Sequence, residues 1–410
     1  MTSPTLPRER TILALTVTAH ALTHVAELAF PALAIIITTD FLHRAGAYGA
    51  IGDAGFFAAL LFGSAALPSG RLVDRLGARR VLMIMLFGTA ASLFALAAAP
   101  GLRSLTIVLA FLGGFAGLYH PAGTTMISLG VRQQGKAMGW HGMGGNLGLA
   151  LTPLLAAALA GAVGWRVTCL ALACLPLSLG VFVLASRIDV GHPASGPKTE
   201  PADQRYLLRP LALVFAMGVF NGMTYRGLMT FLPAYFTEKV HLAWLPLQQV
   251  TVGGAMTTAI LLLGIAGQLL GGALADRFRK EAVYTGIFLL AAPVLLSLGF
   301  LENLPLVAAT GLFAFLYFAN QPVGNAIIPR YTGAGIRGWV YGLFFFASFG
   351  AGSIMSPIAG WIGERFHLAS IFLILASTLG CAGLLGLGLV RASRNSGNSG
   401  QSPIVSDWHG

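Results

Sequence analysis

Twelve apolar runs of about 20 residues, the length needed to cross a bilayer as helix, make up most of the chain. They fall at 11–38, 47–68, 81–99, 104–128, 136–160, 165–186, 209–236, 248–273, 281–300, 303–328, 338–361 and 367–390. A chain built this way has few choices. Lipid offers no partner for peptide N–H and C=O groups, so each run must satisfy its backbone internally, as a helix. Composition agrees: 10% of the residues are charged, against about a quarter in soluble domains, and mean hydropathy is +0.78. The expected fold is an all-α membrane protein with twelve transmembrane helices. The polar residues before the first run and the length of that run, beyond the ~7–15 residues of a signal-peptide core, predict that it is kept as a span. Cys169, Cys174 and Cys381 all lie in apolar runs with neither disulfide nor zinc spacing, and are expected to pack.

The net charge of +11 is a statement about topology. Of the 25 Lys and Arg residues, 19 fall on the side that holds both termini and five on the other, with Arg226 inside a span. The positive-inside rule places both termini in the cytoplasm. No nucleic-acid partner is expected.

The chain reads as two halves. RIDVGHPASGPKTEPADQRYLL (187–208) is the longest polar interior stretch and is expected to be a cytoplasmic linker between six-helix bundles at 1–186 and 209–390, with 391–410 a disordered cytoplasmic tail. Phe30-Pro31-Ala32 recurs as Leu232-Pro233-Ala234, and Gly70-Arg-Leu-Val-Asp74-Arg75 as Gly272-Ala-Leu-Ala-Asp276-Arg277, both at an offset of 202. His120-Pro121 recurs as Gln321-Pro322 at 201. Such parallel repeats place a binding site between the halves, near the midplane.

The segment GRLVDRLGARR (70–80) resembles the signature loop between helices 2 and 3 of the major facilitator superfamily. Gly70 and Gly77 suit a tight turn and close backbone approach. Asp74 can meet a helix terminus or a nearby arginine, and Arg75, Arg79 and Arg80 suit the anionic inner leaflet. Asp276 and Arg277 belong to the degraded second copy, where Arg279 stands in place of Gly77, and the two loops are expected to govern switching between conformational states. Narrower motifs, GLYHPAGTTMIS (117–128), AMGWHGMGGNLGLALTPLLAA (137–157) and YGLFFFASFGAGSIMSPIAG (341–360), resemble the fosmidomycin-resistance branch, although Ala122 stands where that branch has an acidic residue. The resemblance implies two pseudo-symmetric bundles, alternating access, a cavity lined by spans 1, 4, 7 and 10, and drug or small-molecule export by an antiporter.

The polar residues inside the spans define the candidate site. In HALTHVAE (20–27), His20, His24 and Glu27 fall with Pro31 within about 60° of arc at ~100° per residue. Charge at the bilayer centre costs about 2.5–3.5 kcal/mol on insertion scales, so such groups face the bundle interior and carry function. At the 202 offset His24 maps onto Arg226, His20 onto Gly222 and Glu27 onto Met229, so His24 and Arg226 should face one space. Tyr119, His120, His141, Asn146, Asn221, Tyr225, Asn320, Gln321 and Asn325 complete an expected cavity lining, with Glu27 and His24 as the proton-coupling pair.

Histidines four apart can share a metal, and His120 or His141 can complete the set. No Asp or Cys joins them, however, and Arg226 would put a fixed positive charge in the same cavity, so no metal is assigned. GxxxxGK[ST] is absent and no catalytic triad or carboxylate pair stands out, which excludes an ATP-driven pump or an enzyme. The function expected is proton-coupled export of a drug-like or anionic small molecule across the bacterial inner membrane. The partners are that molecule, protons and lipid; no cofactor is needed, and the chain acts as a monomer. Uptake of an organic anion is the alternative, with metal transport and a non-transporting scaffold or receptor behind it.

Overall fold

The computed structural model describes residues 7–44, 46–131, 134–186, 188, 208–242, 247–332 and 337–398. All of the regular structure there is helical, and twelve helices are long and apolar enough to cross a membrane. The first half contains α1 (Pro7–Leu42), α2 (Tyr48–Leu76), α3 (Ala78–Ala97), α4 (Leu102–Gly117 followed by Tyr119–Gly130), α5 (Gln134–Val163) and α6 (Trp165–Ser186). The second contains α7 (Leu208–Lys239), α8 (Gln249–Arg277), α9 (Lys280–Ser297), α10 (Asn303–Phe318 followed by Asn320–Ile327), α11 (Arg337–Phe345 through Met355–Arg365) and α12 (Ser370–Asn398). Nearly all of the expected linker, 187 and 189–207, lies outside the described residues, as does the tail from 399; α12 continues past the expected boundary at 390.

Packing repeats between the halves: α1 lies on α5 as α7 lies on α11, α2 on α4 as α8 on α10, and α3 on α6 as α9 on α12. The outer faces of α6, α9 and α12 expose Val181, Leu184, Leu290 and Leu384, as a lipid-facing surface requires. Cys169 is buried, but Cys174 and Cys381 are exposed on α6 and α12 and do not pack as expected, because those helices turn one face outward.

The symmetry extends to the broken helices. Pro121 and Pro322 lack an N–H, and each lies just after an interruption, at Leu118 in α4 and Ala319 in α10. The loosened turns find other partners: the Ser69 hydroxyl donates to the Leu118 carbonyl at 2.8 Å, and the Asn320 amide to the Tyr317 carbonyl at 2.5 Å. Gly271, the counterpart of Ser69, is a glycine because a Cβ there would strike the Ala319 carbonyl. One feature has no counterpart. Midway along α11 the helix widens to a π turn at Phe346–Gly350 and tightens to a 3₁₀ turn at Ala351–Ile354, a distortion common at functional sites.

The halves meet at the end away from the termini. Along α2 and α11, Gly52 lies against the Ser356–Pro357 backbone, Gly63 against Gly350, and Gly360 against Tyr48. Gly254 of α8 meets the Pro153 carbonyl of α5. At the rim, Arg44 pairs with Glu364 at 2.6 Å and the Tyr48 hydroxyl donates to Glu238 at 2.7 Å.

The signature segment differs from its expected form. Gly70 through Leu76 is the last part of α2, and the turn rests on Gly77 alone, at φ +83°. A Cβ on Gly70 would meet open space, so close approach is not its role. Arg79 does not lie free at a lipid surface: it donates to the Val183 and Leu184 carbonyls at 3.0 and 3.1 Å, capping α6. Arg75, Arg80, Asp276 and Arg277 are exposed, as is Asp74, which has no hydrogen bond or ion pair among the described residues. Arg279 replaces Gly77 without strain because the second turn is made in extended backbone, φ −62°.

Candidate functional site

A cavity of about 480 Å³ lies between the halves, on the termini side of their far-end contact. His20, His24, His120 and Asn146 line it from the first half, and Asn221, Tyr225, Asn320, Gln321 and Asn325 from the second. Its second-half wall also carries Gln268, Tyr317, Phe345, Ser348 and Phe349, which the sequence reading did not select. Gln268 is the one amide in the interior of run 248–273, away from Gln248 and Gln249 at its start, a signal that was present; the aromatic wall depends on the π turn of α11, which leaves no sequence pattern.

The polar stripe of α1 is spent on a chain of contacts. His20 Nδ1 donates to the His141 carbonyl at 2.7 Å, and His24 Nδ1 donates to Glu27 Oε2 at 2.8 Å. The Nε2 atoms of the two rings lie 3.2 Å apart. His120 stands beside both and stacks on Phe345 of the other half, its ring centroid 5.9 Å away. The other oxygen of Glu27, Oε1, accepts from Arg226 at 3.2 Å and from the Tyr225 hydroxyl at 3.4 Å. Glu27 and Arg226 are 2% and 5% exposed, so the pair is desolvated and each charge depends on the other.

The expected meeting of His24 and Arg226 takes a different form from the one drawn. They do not face each other across open space but converge on one carboxylate. Arg226 and Glu27 line a second, water-sized space of about 20 Å³, together with Phe30, Pro31 and Phe62, beyond the end of the large cavity. Tyr119 and His141 do not reach the large cavity either. They back His20: the Tyr119 hydroxyl donates to the Thr16 carbonyl, lies 3.3 Å from His141 Nδ1, and the His141 ring stacks on His20 at 4.2 Å. Gly145 leaves room for the His20 ring, whereas Gly222, the counterpart of His20, is filled by the Ser348 backbone. The second half thus trades a histidine for close packing of α7 on α11.

An amide chain crosses the cavity. Asn146 donates to Gln268 at 2.7 Å, and Gln268 donates to Gln321 at 2.7 Å. Around it, Asn221 Oδ1 and Ser348 Oγ are buried without a hydrogen-bond partner among the described residues, and so is Arg226 Nε at the Glu27 contact. Buried polar atoms left unpaired are uncommon and call for a partner that comes and goes. The arrangement can hold a small polar molecule and couple it, through His24, to a carboxylate shared by both halves.

Comparison with known proteins agrees with this architecture. The profile of the Major Facilitator Superfamily matches residues 15–256 and 214–408. The chain is 26% identical to the probable L-galactonate transporter of Escherichia coli (strain K12), over 80% of this chain and 77% of that one. It is 27% identical to the multidrug efflux pump Tap of Mycolicibacterium fortuitum, over 80% and 84%, and 24% identical to the fosmidomycin resistance protein of Escherichia coli (strain K12), over 70% and 71%. A bacterial homologue of the lysosomal transporter Spinster, in its inward-facing and occupied conformation, superposes with a TM-score of 0.77 at 12% identity, covering 98% of this chain and 100% of that one. The peptide transporter POT in complex with sulfate superposes at 0.74 and 15% identity, covering 95% of each chain. Two six-helix bundles with matched breaks, a polar cavity between them and a profile match across the chain lead to one conclusion: this multi-pass membrane protein is a secondary transporter belonging to the Major Facilitator Superfamily.

Proposed function

We propose that this transporter exports a small polar or anionic organic molecule in exchange for protons, acting as a monomer in the bacterial inner membrane with both termini in the cytoplasm. The observation that carries the reading is the Glu27 carboxylate, held by His24 of its own half and Arg226 of the other. A proton arriving at Glu27 cancels the charge that both partners bind. Charge-assisted hydrogen bonds contribute about 1.5–3 kcal/mol each, so protonation loosens a tie between the halves. Cargo enters from the termini side, against the amide chain and the unpaired Asn221 and Ser348 atoms, and displaces His24 or Tyr225. Either displacement alters the same carboxylate, so cargo and proton report to one group. The relatives named for multidrug efflux and fosmidomycin resistance support the export direction.

A second reading, proton-coupled uptake of a hydroxylated organic anion, is favoured by the amide-rich wall and by the relative named for L-galactonate. One experiment separates them. A deletion strain should become sensitive to toxic compounds if the chain exports, and should lose growth on a single organic acid if it imports. Reconstituted liposomes with an imposed pH gradient test coupling directly: absence of pH-driven flux for every cargo that binds removes the proton-exchange reading.

A further inference from the structure

We propose that His20, His24 and His120 form a binding site for a late first-row divalent cation of the zinc or cobalt type, with one coordination position open to the cavity. The argument begins with which ring nitrogens carry protons. A carbonyl and a carboxylate only accept hydrogen bonds. His20 Nδ1, 2.7 Å from the His141 carbonyl, and His24 Nδ1, 2.8 Å from Glu27, must therefore both be N–H donors. In the neutral rings each Nε2 is then a lone pair, and the two are aimed at each other at 3.2 Å. Two lone pairs at that separation repel unless an electrophile lies between them. Either a proton or a metal ion can serve.

Two features favour the metal. Metal–imidazole bonds of 2.0–2.1 Å at a tetrahedral angle place the two nitrogens about 3.3 Å apart, close to the spacing observed. A shared proton also needs only two nitrogens, whereas three are gathered here: ring nitrogens of His20, His24 and His120 lie within 4.8 Å of one another. The His120 ring makes no hydrogen bond among the described residues and is half-buried at the cavity wall, so a ring movement that closes the remaining gap of about 1.5 Å breaks none.

The surroundings are those of a metal site. Ligating histidines characteristically donate their second N–H to a carboxylate or backbone carbonyl, which fixes the ring and makes the other nitrogen a better ligand. His24 has the carboxylate and His20 the carbonyl. The sequence arguments against a metal were the lack of an Asp or Cys beside the histidines, which three imidazoles do not need, and the fixed positive charge of Arg226. In the folded protein that charge is paired with Glu27 at 3.2 Å, so the cation does not face an uncompensated arginine. Imidazole donors suit zinc, nickel and copper rather than magnesium or calcium. Three protein ligands leave a fourth position, and it faces the cavity and its amide wall, where a carboxylate or other anionic oxygen of a cargo molecule can complete the shell. The cation would then be either cargo in its own right or the bond between carrier and a chelating anion.

The test uses untagged, chelator-stripped protein in detergent, titrated with Co²⁺ and followed by visible absorption. One Co²⁺ per chain with the intense ligand-field bands of a tetrahedral site, displaced by Zn²⁺, is the expected result. His120→Asn should weaken binding at least tenfold; because the His120 ring makes no hydrogen bond among the described residues, this variant should keep the melting temperature of the parent. His120→Cys should retain binding and add a thiolate-to-cobalt charge-transfer band, a signature that arises only if position 120 is a direct ligand. No Co²⁺ bound, an octahedral spectrum, affinity unchanged in His120→Asn, or no charge-transfer band in His120→Cys would each overturn the proposal.

Discussion

Glu27 of α1 and Arg226 of α7 form an ion pair of 3.2 Å between the two halves of the molecule, with both side chains almost completely shielded from solvent. His24 holds the second oxygen of the same carboxylate at 2.8 Å, so one acid links a cavity-lining ring to the opposite bundle. Replacing it separates chemistry from architecture. Glu27→Gln keeps the shape and two hydrogen-bonding atoms but cannot exchange a proton. Flux driven by a pH gradient should fall at least tenfold, while exchange of labelled for unlabelled cargo across liposomes persists. Retention of full pH-driven flux would remove Glu27 from coupling.

Arg226→Ala removes the partner of a buried carboxylate. Breaking a buried pair from one side costs about 3–5 kcal/mol, so the melting temperature in detergent should fall clearly. In a Glu27→Gln background the same Arg226→Ala change should cost much less, since no charge is left behind. Arg226→Lys should recover only part of the transport lost in Arg226→Ala, because an ammonium lacks the planar fork that reaches Glu27. Additive losses in the double variant would show that the two residues do not act as a pair.

Asp74 is exposed and unpaired among the described residues, at the last turn of α2. The signature motif to which it belongs implies a role in switching between conformations rather than in holding cargo. Asp74→Asn should slow transport severalfold yet leave cargo affinity unchanged, as measured by isothermal titration beside liposome flux. Weaker binding with a normal transport rate is the result that contradicts this role.

Gln268 donates to Asn146 at 3.2 Å and to Gln321 at 2.7 Å, connecting the halves on the cavity surface. Neutral hydrogen bonds are worth about 0.5–1.5 kcal/mol each. For any cargo identified by a thermal-shift screen, Gln268→Ala should therefore change affinity by roughly two- to tenfold, with proton coupling intact. An unchanged dissociation constant would place Gln268 outside the binding surface.

What was legible in the sequence followed from periodicity and repetition. Twelve spans, two halves and the inward stripe of His20, His24 and Glu27 all follow from spacing, because lipid leaves a polar residue few places to point. The 202 offset brought Arg226 to the α1 stripe with Glu27 as its nearest counter-charge; what spacing did not give is that His24, expected to face Arg226, holds the other oxygen of the same carboxylate. Contacts that depend on the two halves meeting were not legible. Gln268 is one amide in an apolar run until α8 is seen against α5, and the Phe345–Phe349 wall exists because α11 widens over a single turn. Gly70 misled for the opposite reason: a glycine in a familiar motif invites a steric role, and here the space beside it is open.

The contact of α2 with α11 is made largely of peptide surface, with Gly52 on Ser356 and Gly63 on Gly350. Along the glycine strip itself few side chains interlock, the Phe62–Phe349 ring pair being one that does. When it parts, the helices keep their internal hydrogen bonds and no polar atom is orphaned, so the cost of opening is mainly lost dispersion over a narrow strip. Directional bonds flank it at the rim, at Arg44–Glu364 and Tyr48–Glu238, while the Glu27–Arg226 pair ties the halves deeper in. The glycine-lined strip between α2 and α11 thus works like a smooth shutter, and what must be released for it to part are the bonds beside it: the rim latch and the buried Glu27–Arg226 tie.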